Sequence, residues 1–397
     1  MKQKKIFTLT LAAVMAGPVW ASAATQPAAP ADFQWYAKTG LGYDSNAFKA
    51  PSSSYIDLAA GNAVVNPSAK SGFFVPYEVG AEVAKKSAQN VTLTGSAALD
   101  GSQYIGSGVT SASQYSVNLN GGAELVFARD GKAKNSLYGG AIIEKHNQVY
   151  VDHDSGADKT TAGGADISAR YNYTSLGGEA KYRHGTGRID YGFSGKLLMN
   201  DYDNPAGVNP LDHTYITIGA DASMPVFAQA SLSLNFDHSV RDYTNRHARD
   251  ANGTLANANP LLVYTYDALG ATLRKRFSTE WLAYFDVDLS QRADNFVGYN
   301  DYTQNRIGGR VLFEQGSIKG RVALHHWSRD YPNGFAFDRP AGGSKTYSGN
   351  DLKVSAELAQ GKNSAFWAEL VYDSQTSTDL RYDYVRTVLM GGMNWKY

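Results

Sequence analysis

The chain ends on a segment that alternates apolar and polar residues up to its final position. From Val385 to Tyr397 one face carries Val385, Thr387, Leu389, Gly391, Met393, Trp395 and Tyr397, and the other carries Arg386, Val388, Met390, Gly392, Asn394 and Lys396. A period of two is the signature of a β-strand, because successive side chains point to opposite faces. In a soluble protein an unpaired terminal strand with an apolar face templates aggregation. A closed barrel in a membrane removes that liability, since the last strand pairs with the first and the apolar face meets lipid. The terminal strand therefore predicts a membrane barrel, against the alternative of an ordinary sheet edge.

The rest of the chain repeats the pattern. Alternating segments fall at 33–43, 72–86, 91–103, 113–128, 136–148, 171–184, 188–201, 213–226, 230–243, 262–277, 281–295, 302–315, 318–330, 346–360, 364–374 and 384–397. The phase is ambiguous at Ile142-Ile143, and 150–170 reads mostly as loop. Short connections near 87–90, 129–135, 185–187, 227–229, 278–280, 316–317 and 361–363 are interleaved with long polar ones at 44–71, 149–170, 202–212, 244–261 and 331–345. Outer-membrane barrels have short periplasmic turns and long external loops, whereas a soluble sandwich has no reason to sort its turns by parity. The expectation is an all-β, antiparallel transmembrane barrel of about sixteen strands, with both termini periplasmic.

The N-terminus reads as a secretory signal: a basic Met1–Lys5, an apolar run Ile6–Trp20 and a small-residue cleavage site Ala21-Ser22-Ala23. We expect residues 1–23 to be a signal peptide, 24–32 a short periplasmic leader and 33–397 the barrel. Beyond the signal, no stretch approaches the roughly 20 apolar residues of a helical span. The chain has no cysteine, which excludes disulfide stapling and cysteine metal sites, and its zero net charge gives no reason to expect nucleic acid as a partner.

Assigning each apolar face to lipid puts the other face in the lumen. The early strands then contribute Glu78, Glu82, Asp100 and Glu124, with Glu144 nearby in phase. Later strands contribute Arg274, Arg276, Arg306, Arg310, Lys319 and Arg321, with Asp286, Asp288 and Arg292 between them. Charges this numerous within a membrane need water or partners, so they read either as a polar conduit or as cross-strand ion pairs. Tyr36, Tyr215, Tyr264, Tyr266, Tyr284 and Trp327 share the inner face, where aromatic rings would stack on sugars. The same rings also suit the ends of a barrel wall. No enzyme constellation stands out: Asp152-His153-Asp154 lies in a loop, and Asp212-His213, Asp237-His238 and His325-His326 split across opposite faces if they are in strands. We expect no metal and no cofactor.

Two stretches carry a family likeness. Leu389, Met393, Trp395 and Tyr397 resemble the C-terminal insertion signal of bacterial outer-membrane barrels, with Tyr where Phe is usual. The resemblance implies recognition by the barrel-assembly machinery. Thr39-Gly-Leu-Gly-Tyr-Asp-Ser-Asn-Ala-Phe48 resembles the opening strand of β-barrel porins associated with exopolysaccharide systems. That resemblance implies a Gram-negative outer-membrane channel for a secreted polysaccharide, served by separate periplasmic export proteins, since this chain has no helical-repeat region. The alternatives are a general diffusion porin for small solutes and a structural or adhesive barrel with a plugged lumen.

Overall fold

The computed structural model describes residues 31–129 and 133–397. The predicted signal peptide and residues 24–30 of the predicted leader lie outside them. Sixteen antiparallel strands close into one barrel: β1 Asp32–Asp44, β4 Gly72–Ala88, β5 Val91–Ile105, β6 Gln114–Arg129, β7 Ala133–Gln148, β8 Tyr173–Gly185, β9 Asp190–Tyr202, β10 His213–Phe227, β11 Ala230–His247, β12 Leu261–Arg276, β13 Trp281–Asp294, β14 Tyr302–Gln315, β15 Ile318–Phe335, β16 Ser344–Ala359, β17 Ser364–Ser377 and β18 Tyr384–Lys396. Each strand pairs with its sequence neighbours, and β1 pairs with β18. The long loop after β1 holds a small hairpin the sequence did not suggest, β2 Tyr55–Asp57 with β3 Ala63–Val65.

Lipid-facing positions explain why these residues form this sheet. On β13 the outward residues are Trp281, Ala283, Phe285, Val287 and Leu289, about 26 Å along the strand, with Phe285 49% and Leu289 47% exposed. Apolar side chains this open, repeated around the whole wall, need lipid as their solvent, and place the chain across the outer membrane as a multi-pass barrel. At the next outward step Gln291 begins a polar collar. There its Nε2 donates to Asp267 at 3.1 Å, His238 Nδ1 lies 2.8 Å from the same carboxylate and His326 Nδ1 lies 3.0 Å from Asn350. Strands β11 and β15 run to His247 and Phe335, past the predicted ends at 243 and 330. Apolar alternation reports only the lipid-covered stretch, while backbone pairing continues above it.

Among the described residues, the short connections are tight turns. Gly316 (φ 59°) and Gly361 (φ 79°) take the left-handed conformation such turns require. Gln229 adopts φ 57° in the turn between β10 and β11 without a glycine's freedom. Both chain ends of the barrel lie at this short-turn end.

The seam between β1 and β18 is clamped at both heights. At the short-turn end, Trp35 and Tyr397 exchange backbone hydrogen bonds of 2.8 and 2.9 Å. Their rings stack with centroids 4.6 Å apart. At the long-loop end, Asp44 is fully buried and accepts from Arg386 Nη2 at 2.6 Å and from the Tyr104 hydroxyl at 2.5 Å. Thr387 N donates to Ser45 Oγ at 2.8 Å, and Asn46 Nδ2 donates to the carbonyls of Ala50 (2.9 Å) and Val385 (3.2 Å). Phe48 is buried against the inward side chains Phe74, Tyr104 and Val388. The Asp44–Phe48 stretch thus closes the barrel and tucks the first loop against its inner wall.

Candidate functional site

The strand registers sort every predicted lumen residue. Outward Leu289 pairs with Asn305 and Asp288 with Arg306, so the even positions of β13 and β14 share the inner face. The same alternation places Glu78, Glu82, Asp100 and Glu124 inward on β4–β6, with Glu144 on β7. It places Arg274, Arg276, Asp286, Asp288, Arg292, Arg306, Arg310, Lys319 and Arg321 inward on β12–β15. Arg329, which the sequence reading passed over, joins them on β15. In the ring order β4–β7 stand eight strands from β12–β15, half of sixteen, so the two groups face each other across the lumen.

Ion pairing is sparse on both walls. Among the described residues, Arg306–Asp288 at 3.6 Å and Lys319–Glu314 at 3.3 Å are the pairs on the inner face of β12–β15. Asp286 accepts instead from Thr272 at 2.7 Å, and Asp294 accepts from the amides of Phe296, Gly298 and Asn300. Arg310 and Arg292 contact neutral groups. Arg310 sits 4.1 Å from the Tyr284 ring centroid, while Arg292 sits 4.3 Å from Tyr264 and 4.6 Å from Tyr302. Arg292 Nε also donates to the Asn300 carbonyl at 2.9 Å.

An aromatic ladder runs around the inner wall near the long-loop end. It steps His146–Tyr173–Tyr202–His213–Tyr243–Tyr264, with centroids 5.2–5.9 Å apart. Arg292 bridges to Tyr302, from which it continues through Tyr331 and Tyr347 to Tyr382 in steps of 5.5–5.7 Å. Inner-phase aromatics at the loop end of successive strands are the sequence signal that would have found it. Of the predicted stacking residues, Tyr264 is 5% exposed, sealed with Tyr243, Ala248 and Leu262, and offers no free ring face. Tyr36, Tyr215, Tyr266, Tyr284 and Trp327 are half-buried on the inner face. Tyr36 lies over Gly80 and Trp327 over Gly349, where any Cβ would collide with the ring. One face of each ring is thereby fixed to the wall.

At the short-turn end, a lumenal cavity of about 320 Å³ gathers Lys38, Arg276, Arg321, Glu357, Trp367 and Glu369. Lys38 Nζ lies 4.1 Å from the Trp367 ring centroid, and Glu369 is paired to Lys353 at 2.7 Å.

At the opposite mouth the long loops pack on one another. Tyr55 lies beside Phe337, ring centroids 5.9 Å apart and tilted by 41°, and donates to Asp154 at 2.8 Å, and Asp338 lies 3.9 Å from Arg249 and 3.7 Å from Arg381. Burial alone would depress the Arg381 guanidinium, but its hydrogen bonds to the Asp379 carboxylate hold it above its ordinary value. Burial raises the Asp154 carboxyl. Burial also acts to raise Asp152, yet Lys159 and the amides of Asp154 and Ser155 hold it below the usual carboxylate range. His153 Nδ1 meets the Phe48 carbonyl at 2.6 Å, so this Asp-His-Asp run is occupied in packing the loops together. Asp237 points inward and His238 outward, and His325 and His326 divide in the same way. Among the described residues no three His, Asp or Glu side chains converge to hold a metal ion.

No protein-family model matches the chain, and no curated protein does. Solved structures similar to it are outer-membrane barrels. The outer membrane channel DcaP of Acinetobacter baumannii is 12% identical over 92% of this chain and 97% of its own, with a TM-score of 0.48. OmpF of Salmonella typhi, in complex with daunomycin, is 13% identical over the same shares, with a TM-score of 0.47. An anion-selective porin from Comamonas acidovorans is 11% identical over 93% and 99%, with a TM-score of 0.46.

Proposed function

We propose that the barrel is a passive, water-filled channel that carries saccharide across the outer membrane, with a secreted exopolysaccharide as its cargo. The observation behind this reading is the composition of the inner wall: arginines and half-exposed aromatic rings share β10–β15, opposite a wall of carboxylates. A barrel of sixteen strands is wide enough for an aqueous passage, and unpaired charges within a membrane require one. Aromatic faces stack on the apolar faces of sugar rings, while guanidinium and carboxylate groups bond their hydroxyls. Barrel-assembly machinery and periplasmic export proteins are the partners this reading calls for, with both chain ends in the periplasm. Orientation is tested by single cysteines on intact cells: Ala60→Cys and Asn252→Cys should label from outside, and Asn90→Cys and Lys362→Cys should not.

The function is tested in a planar bilayer. The purified barrel should conduct, and oligosaccharides should interrupt the current. Replacing Tyr266 and Tyr284 with Ala should weaken that block. A pore that conducts and ignores every sugar is a general diffusion porin. The first loop favours one further reading: Phe48 is buried inside the mouth, and Lys49 bonds to inward Asp373 and Tyr384, each at 2.9 Å. A barrel that conducts only after residues 47–70 are removed would be plugged by that loop.

A further inference from the structure

We infer that the cargo is a polyanion, an acidic polysaccharide whose repeating unit carries a carboxylate, and that it travels along β11–β15. This rests on the reading of the barrel as a saccharide channel and narrows it to one chemical class.

Six inward arginines, Arg241, Arg274, Arg292, Arg310, Arg321 and Arg329, carry the argument. None lies within 4 Å of a carboxylate among the described residues, as the ion pairs of these strands belong to other side chains. Their contacts are neutral: Arg329 Nε to Gln304 Oε1 at 2.7 Å, Arg241 Nη1 to the Tyr243 hydroxyl at 3.4 Å and Arg292 to the Asn300 carbonyl. Arg274 is exposed to the lumen and the other five are half-buried. The Nε atoms of Arg241, Arg310 and Arg321 are buried with no hydrogen-bond partner among the described residues. The planar guanidinium fork matches a carboxylate in bidentate geometry. These groups are therefore positioned for an anion that the protein does not itself supply.

Their arrangement points to a chain rather than a small ion. Arg321 lies near the short-turn end of β15 and Arg329 lies toward its loop end, about 26 Å apart along the strand. Arg274 and Arg310 flank Tyr284 in one cross-strand row, Arg274 opposite Tyr284 and Tyr284 opposite Arg310. Higher up, Arg292 lies between Tyr266 and Tyr302 in register. Arg241 sits 5.2 Å from the Tyr215 ring and 5.5 Å from Tyr266. Cation and ring therefore alternate at several heights, and a uronate residue needs both: a flat apolar face to stack and a carboxylate to bind. From across the lumen Glu78, Glu82, Asp100 and Glu124 repel a polyanion, pressing it onto the arginine wall.

The test uses the full barrel in a planar bilayer at 0.1 M KCl, with hexa-galacturonate, monomeric galacturonate at equal carboxylate, and neutral malto-hexaose at the same molarity as the hexa-uronate. We expect the hexa-uronate to block at concentrations at least tenfold below those of the neutral hexamer or the monomer. The Arg274→Gln/Arg292→Gln/Arg310→Gln/Arg329→Gln variant should still conduct and should lose at least tenfold in blocking potency. Glu78→Gln/Asp100→Asn, which leaves every arginine in place, should strengthen the block. Equal block by neutral and acidic hexamers, or block by neutral sugar alone, overturns the acidic cargo and leaves the saccharide channel standing. Equal potency of monomer and hexamer makes the wall a small-anion site and overturns the track. A barrel that never conducts, with or without residues 47–70, overturns the channel and the cargo together.

Discussion

Charged side chains line the seam and the arginine wall of the same barrel, and they are treated in opposite ways. At the seam each charge has its partners. Asp44 is 0% exposed and accepts from Arg386, Tyr104 and the Asn46 amide at 2.6, 2.5 and 3.0 Å. On β12–β15 the guanidinium groups of Arg274, Arg310 and Arg321 have no carboxylate in reach among the described residues. A buried charge tolerates no vacancy among its partners, because its desolvation must be repaid locally. A charge in a wet lumen can stay unpaired, since water solvates it. Pairing therefore separates charges that hold the fold from charges the fold leaves without a carboxylate or cation of its own.

The comparison breaks first at the seam. Asp44→Ala leaves Arg386 buried without its carboxylate, and removing one partner of a buried pair costs about 3–5 kcal/mol. We expect most of the heat-modifiable, inserted barrel to disappear on unheated gels, while any residual pores keep wild-type ion preference. A variant as heat-resistant as the parent would mean that the seam charges are not structural. Deleting residues 395–397, which removes the Trp35–Tyr397 stack and its backbone bonds, should produce the same loss from the other end.

The arginine wall should answer in the opposite sense. Arg274, Arg276, Arg306 and Arg310 replaced together by Gln should leave heat-modifiability intact and shift the reversal potential toward cations. Removing fixed positive charge lowers the local anion concentration. The shift should amount to several-fold in the permeability ratio at 0.1 M salt and shrink at 1 M, where the Debye length is about 3 Å. Glu78, Glu82, Asp100 and Glu124 replaced by their amides remove as many charges of the opposite sign and should move it toward anions. Two shifts of the same sign would refute the picture of opposed walls.

Much of the architecture was legible because the bilayer writes it into the sequence. The terminal run from Val385 falls on β18, which ends at Lys396, and outward Leu389, Met393 and Trp395 follow the alternation read from it, with Tyr397 bonded to Trp35 just beyond the strand. The inner-face phase of Arg306 or Glu78 follows from the same period of two. Whether those residues act on cargo is a separate matter, and the bilayer imposes no pattern on it. The β2–β3 hairpin, the Phe48 tuck and the loop pairs Asp338–Arg249 and Asp338–Arg381 were illegible, because loop residues meet by tertiary packing with no periodicity to announce it. The motif around Asp44 was read as a family mark, and its physical role needed Arg386, 342 positions away in sequence. Tyr264 has the inner phase expected of a stacking residue, yet its neighbours Ala248 and Leu262 cover it, and burial of that kind has no local signature.

The smallest expected effect separates pairing from burial. Arg306 and Asp288 form an ion pair at 3.6 Å, as the seam residues do, but their side chains are 36% and 45% exposed to the lumen. Solvent screens such a pair and side-chain entropy opposes it, so coupling between exposed partners is typically only roughly 0.2–1 kcal/mol. A double-mutant cycle with Arg306→Gln, Asp288→Asn and both together, read by urea unfolding of the reconstituted barrel, should give a coupling in that range. The matching cycle at Asp44 and Arg386 should exceed it several-fold. If the two cycles agree, burial is not what distinguishes the seam from the wall, and Arg306 belongs with the structural charges. If the Arg306 coupling vanishes, even the paired arginine of the wall is held no more firmly than its unpaired neighbours.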